Sequence, residues 1–299
     1  MTDKTDLQPD PTVIGNISAP PFVYLPRPEE LFAKRAQRLR FLGTASPLRP
    51  YLDFVAGLTD AQGAVATGLP PAVAMDAPRP GMPVIDRDKI VASGEAEPIF
   101  ERLFEQAEKI EKPQNAADAL KRVAKTGAEE RRTMARAVLS GTLPPETVAE
   151  HIYVWAGLQV HFTRVAAQLA PKALKPVADG VCPACGSLPT GSIVFDRPGA
   201  HGSRFCSCSL CNTLWHYVRI KCVCCGSTKG IGYQEVEEGE GFIKAETCDE
   251  CDHWTKVIYE RKSPGAEPMA DDVASLGIDM LMRDLPYRRG GFAPLLAGL

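Results

Sequence analysis

Apolar residues recur at helical spacing along the chain to about Leu169. Glu29 to Leu42 places Phe32, Ala36 and Leu39 on one face, with Lys34, Arg35, Arg38 and Arg40 largely outside it. Ser46-Pro47 then reads as an N-cap followed by proline at the first helical position. The helix it opens carries Tyr51, Phe54, Val55, Leu58, Ala61 and Val65, the i, i+3, i+4, i+7 stripe of a core-facing helix. A Pro-rich loop from Gly68 to Pro83 interrupts the pattern. Shorter amphipathic stretches follow, with Ile99, Leu103 and Ala107, with Leu120 and Val123, and with Met134, Val138 and Leu139. The longest helix runs from about Pro145 to Leu169, carries Val148, Ile152, Trp155, Gln159, Phe162 and Ala166 on one side, and is stopped by Pro171.

Beyond a linker from Pro171 to Val181 the period changes from helical to alternating. Leu214, His216, Val218 and Ile220 alternate with Trp215, Tyr217, Arg219 and Lys221, which predicts one half-buried strand. Ile231 to Val236, Phe242 to Thr247 and Trp254 to Tyr259 read as further strands. A single final helix is expected from near Asp271, with Val273, Leu276, Met280 and Leu281.

The β region also holds all 10 cysteines, between Cys182 and Cys251. Eight of them form four Cys-x-x-Cys pairs that repeat with an offset of 40 residues. Cys182 and Cys185 map onto Cys222 and Cys225, and Cys208 and Cys211 onto Cys248 and Cys251. Each Cys-x-x-Cys turn sets two thiolates on one side of a tight loop, and two such turns supply the four sulfurs of a tetrahedral metal site. Gly186 and Gly226 follow the first pair in each copy, where a residue without Cβ can take positive φ and aim backbone N–H groups at sulfur. These are the knuckles of zinc ribbons and rubredoxins. The predicted ligands are therefore Cys182, Cys185, Cys208 and Cys211 for one ion and Cys222, Cys225, Cys248 and Cys251 for a second. Cys206 and Cys224 fall on Glu246 and Ala184 under the same shift, so they are read as bystanders, with slippage inside Cys206-x-Cys208 or Cys224-Cys225 as the alternative. His216 and His253 lie just past the second knuckles, and a complete four-sulfur set needs neither.

The expected fold class is α+β: an N-terminal all-α domain, two tandem rubredoxin-like or zinc-ribbon β units, and a short C-terminal helix. The expected divisions are a flexible segment over 1–28, a helical domain over 29–171, metal units over 181–221 and 222–263, and a C-terminal helix and tail over 264–299. Ribbons this small bury too little apolar surface to stand alone, so each metal is expected to staple its unit.

Composition narrows the function. The chain has 299 residues, 44% hydrophobic, and a net charge of −3, which gives no global attraction to nucleic acid or anionic membrane. From Cys182 to Lys262 there are nine Lys and Arg against ten Asp and Glu, with an acidic run at Glu235, Glu237, Glu238 and Glu240. A tetrathiolate site around a divalent ion adds about −2 more. A zinc-ribbon nucleic-acid binder is disfavoured, because such modules carry a basic stripe. The opening MTDKTDLQPDPTVI has neither a basic n-region nor an apolar h-region, and no stretch approaches the ~18 apolar residues of a membrane span, so a reducing cytoplasm is expected.

Several segments together resemble the FdhE family. They are Cys182-Pro-Ala-Cys-Gly-Ser, Cys208-Ser-Leu-Cys211 with Trp215-His216, Cys222 to Cys225, Cys248-Asp-Glu-Cys251 and Ala270-Asp-Asp-Val-Ala-Ser-Leu276. Near the start, Arg35-Ala-Gln-Arg-Leu-Arg40, Pro47-Leu48, Tyr51-Leu52, Phe54 and Ala61-Gln62 also fit. The resemblance implies a cytoplasmic, non-enzymatic accessory protein for assembly or activation of respiratory formate dehydrogenase. It also implies binding to the catalytic subunit of that enzyme before export, and iron in the cysteine sites. Chemistry alone leaves zinc and iron open, since both accept four thiolates. Two other classes stay in view: a rubredoxin-like electron-transfer protein, and the disfavoured nucleic-acid binder. No dinucleotide fingerprint or Walker loop sits in a strand-to-helix context, and a closed four-sulfur set leaves no open position for substrate.

Overall fold

The computed structural model describes residues 19–70, 81–236 and 241–297. Residues 1–18, residues 71–80 of the Pro-rich loop, and Glu237, Glu238 and Glu240 of the acidic run lie outside them. A short strand, β1 (Val23–Tyr24), precedes α1 (Pro28–Gly43) and α2 (Arg49–Thr67). Then come α3 (Arg87–Ser93), α4 (Glu97–Glu108), α5 (Gln114–Lys125), α6 (Ala128–Ser140) and α7 (Val148–Ala166). The sheet strands are β2 (Pro189–Val194), β3 (Arg204–Cys208), β4 (Leu214–Tyr217), β5 (Ile231–Gln234), β6 (Ile243–Cys248) and β7 (His253–Tyr259). Two helices, α8 (Pro268–Ala274) and α9 (Leu276–Met282), and a last strand, β8 (Arg288–Arg289), close the chain.

Helix α1 starts at Pro28 with Glu29 and Glu30 in its first turn, where their charge complements the helix dipole. Phe32, Ala36 and Leu39 are buried as the pattern requires. Arg35 and Arg38 correct the reading that placed them outside the buried face, since they are only 1% and 7% exposed. Helix α8 covers them, supplying Glu267 at its N-cap and Asp271 in its first turn as carboxylate partners. Ser46 does not cap α2. Its hydroxyl accepts from Leu48 N at 3.1 Å, and the helix begins at Arg49 with Pro50 in its first turn.

The long helix α7 is the centre of the helical part, and every residue from Tyr153 to Ala166 is buried. The stripe of Trp155, Gln159, Phe162 and Ala166 is thus one side of a helix packed all round, against α2, α4, α5 and α6. Gly157 is needed there because a Cβ would overlap the Phe100 ring of α4.

The β region is one sheet in the order β1-β4-β3-β2-β7-β6-β5, with β8 on β7. It consists of two three-stranded antiparallel meanders, β2–β3–β4 and β5–β6–β7, joined where β2 runs parallel to β7 with Ser192 opposite Val257. At that seam Gly191 lets the Lys256 carbonyl pass 2.9 Å from where a Cβ would stand. The larger core runs from the helices into the first meander and includes Cys182, Cys185, Cys206, Cys208 and Cys211. A smaller core of Ile193, Phe195, Phe205, Trp254, Ile258 and Met282 lies under α9.

Three further expectations are corrected. Val23 and Tyr24, within the segment expected to be flexible, pair with Trp215 and Leu214 of β4. The strand expected from Leu214 to Lys221 ends at Tyr217, because Ile220 takes φ 57° and the chain turns out to place Cys222. Val218 and Ile220 are consequently 57% and 61% exposed. The single C-terminal helix is two, α8 and α9, broken at Ser275.

Candidate metal centres

The two meanders carry their cysteines at equivalent places. Cys182 and Cys185 precede β2, while Cys208 and Cys211 span the end of β3 and the turn into β4. Cys222 and Cys225 precede β5, while Cys248 and Cys251 span the turn from β6 to β7. The backbone repeats with them. Gly186 N donates to Cys182 O at 2.8 Å and Cys182 N to Ser187 O at 2.9 Å. In the second copy, Gly226 N donates to Cys222 O at 3.0 Å and Cys222 N to Ser227 O at 2.8 Å. Gly186 and Gly226 take φ 73° and 76°, as the knuckle reading requires. Asn212 and Asp252, each one residue past the second pair, take φ 59° and 54°, a region their short polar side chains tolerate.

This backbone converges the sulfurs. Cys182 Sγ lies 3.6 Å from Cys211 Sγ, and Cys185 Sγ lies 3.5 Å from Cys208 Sγ. In the second copy the corresponding separations are 3.7 Å for Cys222 and Cys251 and 3.8 Å for Cys225 and Cys248. All four sulfurs of each set fall within 4.8 Å of one another. A tetrahedron with metal–sulfur bonds of about 2.3 Å has edges of about 3.8 Å. The donor sets therefore fit a tetrahedral thiophilic ion, zinc or iron, without rearrangement. Neither set contains Cys206, Cys224, His216 or His253.

The surroundings of the two sets differ. All four sulfurs of the first are buried. Leu210 N and Cys211 N donate to Cys208 Sγ at 3.4 and 3.3 Å, and Ser187 Oγ and Thr213 Oγ1 lie 3.4 and 3.2 Å from Cys185 Sγ and Cys211 Sγ. Burial pushes the Cys182 and Cys211 thiols well above the usual range. At Cys185 burial is outweighed by hydrogen bonds from the other three sulfurs, which pull it down. Sulfurs this close cannot all ionise on their own, whereas a divalent cation lets all four do so together. In the second set Cys225 is exposed and Cys251 half-buried, and Cys224 N donates to Cys222 Sγ at 3.3 Å.

Among the described residues, only the first set is clamped by the helices. Trp155 Nε1 and Gln159 Nε2 both donate to the carbonyl of Ser209, inside the Cys208–Cys211 knuckle, at 3.1 Å. Asn212 Nδ2 donates to Thr163 Oγ1 at 2.7 Å, and Asn212 Oδ1 accepts from Arg35 at 2.8 Å. The sequence carried one signal for this clamp that spacing alone does not decode, a glutamine in the middle of an apolar helix. Cys206 is a core residue of β3 facing Arg204 and Glu246, and burial pushes its thiol up to about 12. His253 Nδ1 contacts the Cys251 carbonyl at 2.5 Å, and the His216 ring packs edge-on against Phe205.

Comparison with known proteins places this architecture. Family models described as FdhE N-terminal, FdhE central domain and FdhE C-terminal domain match residues 20–179, 181–219 and 220–296. A protein FdhE homolog of Rhizobium meliloti is 46% identical over 301 residues, covering 98% of both chains. Protein FdhE of Escherichia coli K12 is 31% identical over 287 residues, covering 93% of this chain and 91% of that one. The crystal structure of the FdhE protein from Pseudomonas aeruginosa superposes with a TM-score of 0.81 at 32% identity, over 93% of this chain and 99% of that one. With three models of one family tiling the helices and both cysteine units, and relatives aligned from end to end, the chain belongs to the FdhE family.

Proposed function

We propose that this protein is a cytoplasmic accessory factor, not an enzyme, that assists assembly or activation of a formate dehydrogenase by binding its catalytic subunit. The observation that carries the proposal is membership of the FdhE family along the whole chain, joined to two intact four-sulfur sets. In this reading Cys182, Cys185, Cys208 and Cys211 hold one ion, and Cys222, Cys225, Cys248 and Cys251 hold another. Iron is the favoured metal and zinc the alternative. Bound there, the metal supplies cross-linking of each meander and, as iron, a one-electron centre.

The chain's own residues do the rest. Trp155, Gln159 and Asn212 hold the first unit against the helical part, so that helices and sheet present one continuous surface to a client. Closed sets of four cysteines leave no coordination position for a substrate, which supports an accessory role over a catalytic one. Among the described residues no helix is long and apolar enough to cross a membrane. The exposed Cys225 favours a second reading, a rubredoxin-like electron-transfer protein, because an exposed ligand sulfur shortens the path to a redox partner.

Affinity capture from anaerobically grown cells separates the two. The accessory reading predicts recovery of the formate dehydrogenase catalytic subunit and loss of formate oxidation in a strain lacking this protein. Normal formate oxidation in that strain, with no subunit recovered, would reject it in favour of electron transfer.

A further inference from the structure

The internal repeat makes each cysteine unit a control for the other, and one difference between them is a charge. Ser187 and Ser227 are equivalent residues directly after the knuckle glycines. Ser187 is buried, accepts a hydrogen bond from Arg87 Nη1 at 3.1 Å, and lies 3.4 Å from Cys185 Sγ. Because its oxygen accepts from the guanidinium, its own hydrogen is free to point at the sulfur. A cation is thereby joined to the first set through a single hydroxyl. Arg87, at the start of α3, makes no ion pair among the described residues, its other partner there being the Leu139 carbonyl at 3.5 Å. It is also the one charged residue lining a cavity of about 210 Å³ over both knuckles of the first set, together with Trp155, Leu188, Leu210 and Phe292.

Among the described residues the second unit lacks this arrangement. Ser227 folds back on its own loop, accepting from Lys229 N at 3.0 Å. The side chain against its knuckle glycine is a carboxylate, Asp179, whose charge is matched by Lys221 Nζ at 2.6 Å. This ion pair brings no net positive charge to that set. The first set is therefore buried and cation-linked, while the second is open to solvent at Cys225 and has a paired carboxylate against its knuckle glycine.

We propose that Arg87 is a positioning residue for the first metal centre: through Ser187 Oγ it fixes a hydrogen bond on Cys185 Sγ and brings a cation beside the loaded set, so that this centre retains its ion while the second exchanges its own. The inference rests on the metal-binding reading above. Its sign follows from the charges. Four thiolates around a divalent ion carry about −2 in a buried site, so a nearby cation favours the loaded state.

The test is metal release to a chromogenic chelator from full-length protein loaded with zinc alone. The expected trace has two phases of equal amplitude, the fast one removed by replacing Cys222 and Cys225 with serine. Arg87→Met should accelerate the slow phase by about tenfold or more and leave the fast phase unchanged. Arg87→Lys, which keeps the charge, should restore much of the retention, which a purely packing role for the side chain would not give. Ser187→Ala should match Arg87→Met, and the double variant should be no faster than either. An unchanged slow phase in Arg87→Met, additive effects of the two substitutions, or no rescue by lysine would each overturn the proposal. A wild-type release of fewer than two ions would instead reject the metal-binding reading beneath it.

Discussion

Arg38→Leu removes the cation from a carboxylate that has no exposure to water. Arg38 grips Asp271 through Nε at 3.0 Å and Nη2 at 2.6 Å, clasping α1 to α8, and Asp271 also accepts from Glu267 N at 2.8 Å. Burial already raises the Asp271 carboxyl above its ordinary value despite Arg38, so without the arginine it rises further. Stranding one partner of a buried pair costs about 3–5 kcal/mol. Protonation limits that cost, because neutralising a carboxyl of ordinary pKa requires about 1.4 kcal/mol for each pH unit above it. The bound is near 3 kcal/mol at about pH 6, whereas at about pH 8 the full 5 kcal/mol can be expressed. The folded variant titrates above its unfolded form, so it takes up a proton on folding and its deficit against wild type shrinks as pH falls. Urea unfolding followed by helical circular dichroism, with wild type and variant compared at each pH, should show a deficit smaller at the lower pH by up to about 2 kcal/mol. Adding Asp271→Asn to the variant should abolish that pH dependence. A deficit at about pH 8 under about 1 kcal/mol, or one that grows as pH falls, would refute the reasoning.

Replacing Cys222 and Cys225 by serine should let protease cut the second meander while the helices and first unit stay protected, because metal binding there is folding free energy; limited proteolysis reads this directly. Trp155→Phe deletes one of the two donors to Ser209 O and should cost about 1 kcal/mol of stability in thermal or denaturant unfolding, since Gln159 still satisfies that carbonyl. Gly157→Ala drives a methyl into Phe100 and should cost about 1–3 kcal/mol by the same measurement.

The gathering of eight cysteines into two sets of four was legible in the sequence because a repeat is a strong constraint. Two pairs at a fixed offset had to meet, and the positive φ of Gly186 and Gly226 follows from the knuckle chemistry that the glycines signalled. The surface helices α1, α2 and α4 were legible for the ordinary reason that one face is apolar. What periodicity hid were the contacts between elements distant in sequence. Arg35 and Arg38 look like solvent-facing charges on α1, but partners more than 100 residues later turn them inward, Gln159, Asn212 and Glu267 for Arg35 and Asp271 for Arg38. The end of β4 at Tyr217 was hidden likewise, since Val218 and Ile220 continue the alternation and only the geometry needed to place Cys222 forces Ile220 into a left-handed conformation. The unequal burial of the two sulfur sets has no local signature, because it depends on which meander the helices cover.

The number of metal ions per chain, and its response to cysteine replacement, tests the central claim most directly. The account predicts two ions in wild type and in Cys206→Ala and Cys224→Ala. It predicts one ion when either Cys182 and Cys185 or Cys222 and Cys225 are changed to serine. One ion in wild type, occupancy unmoved by either double replacement, or a site emptied by loss of Cys206 or Cys224 would contradict it.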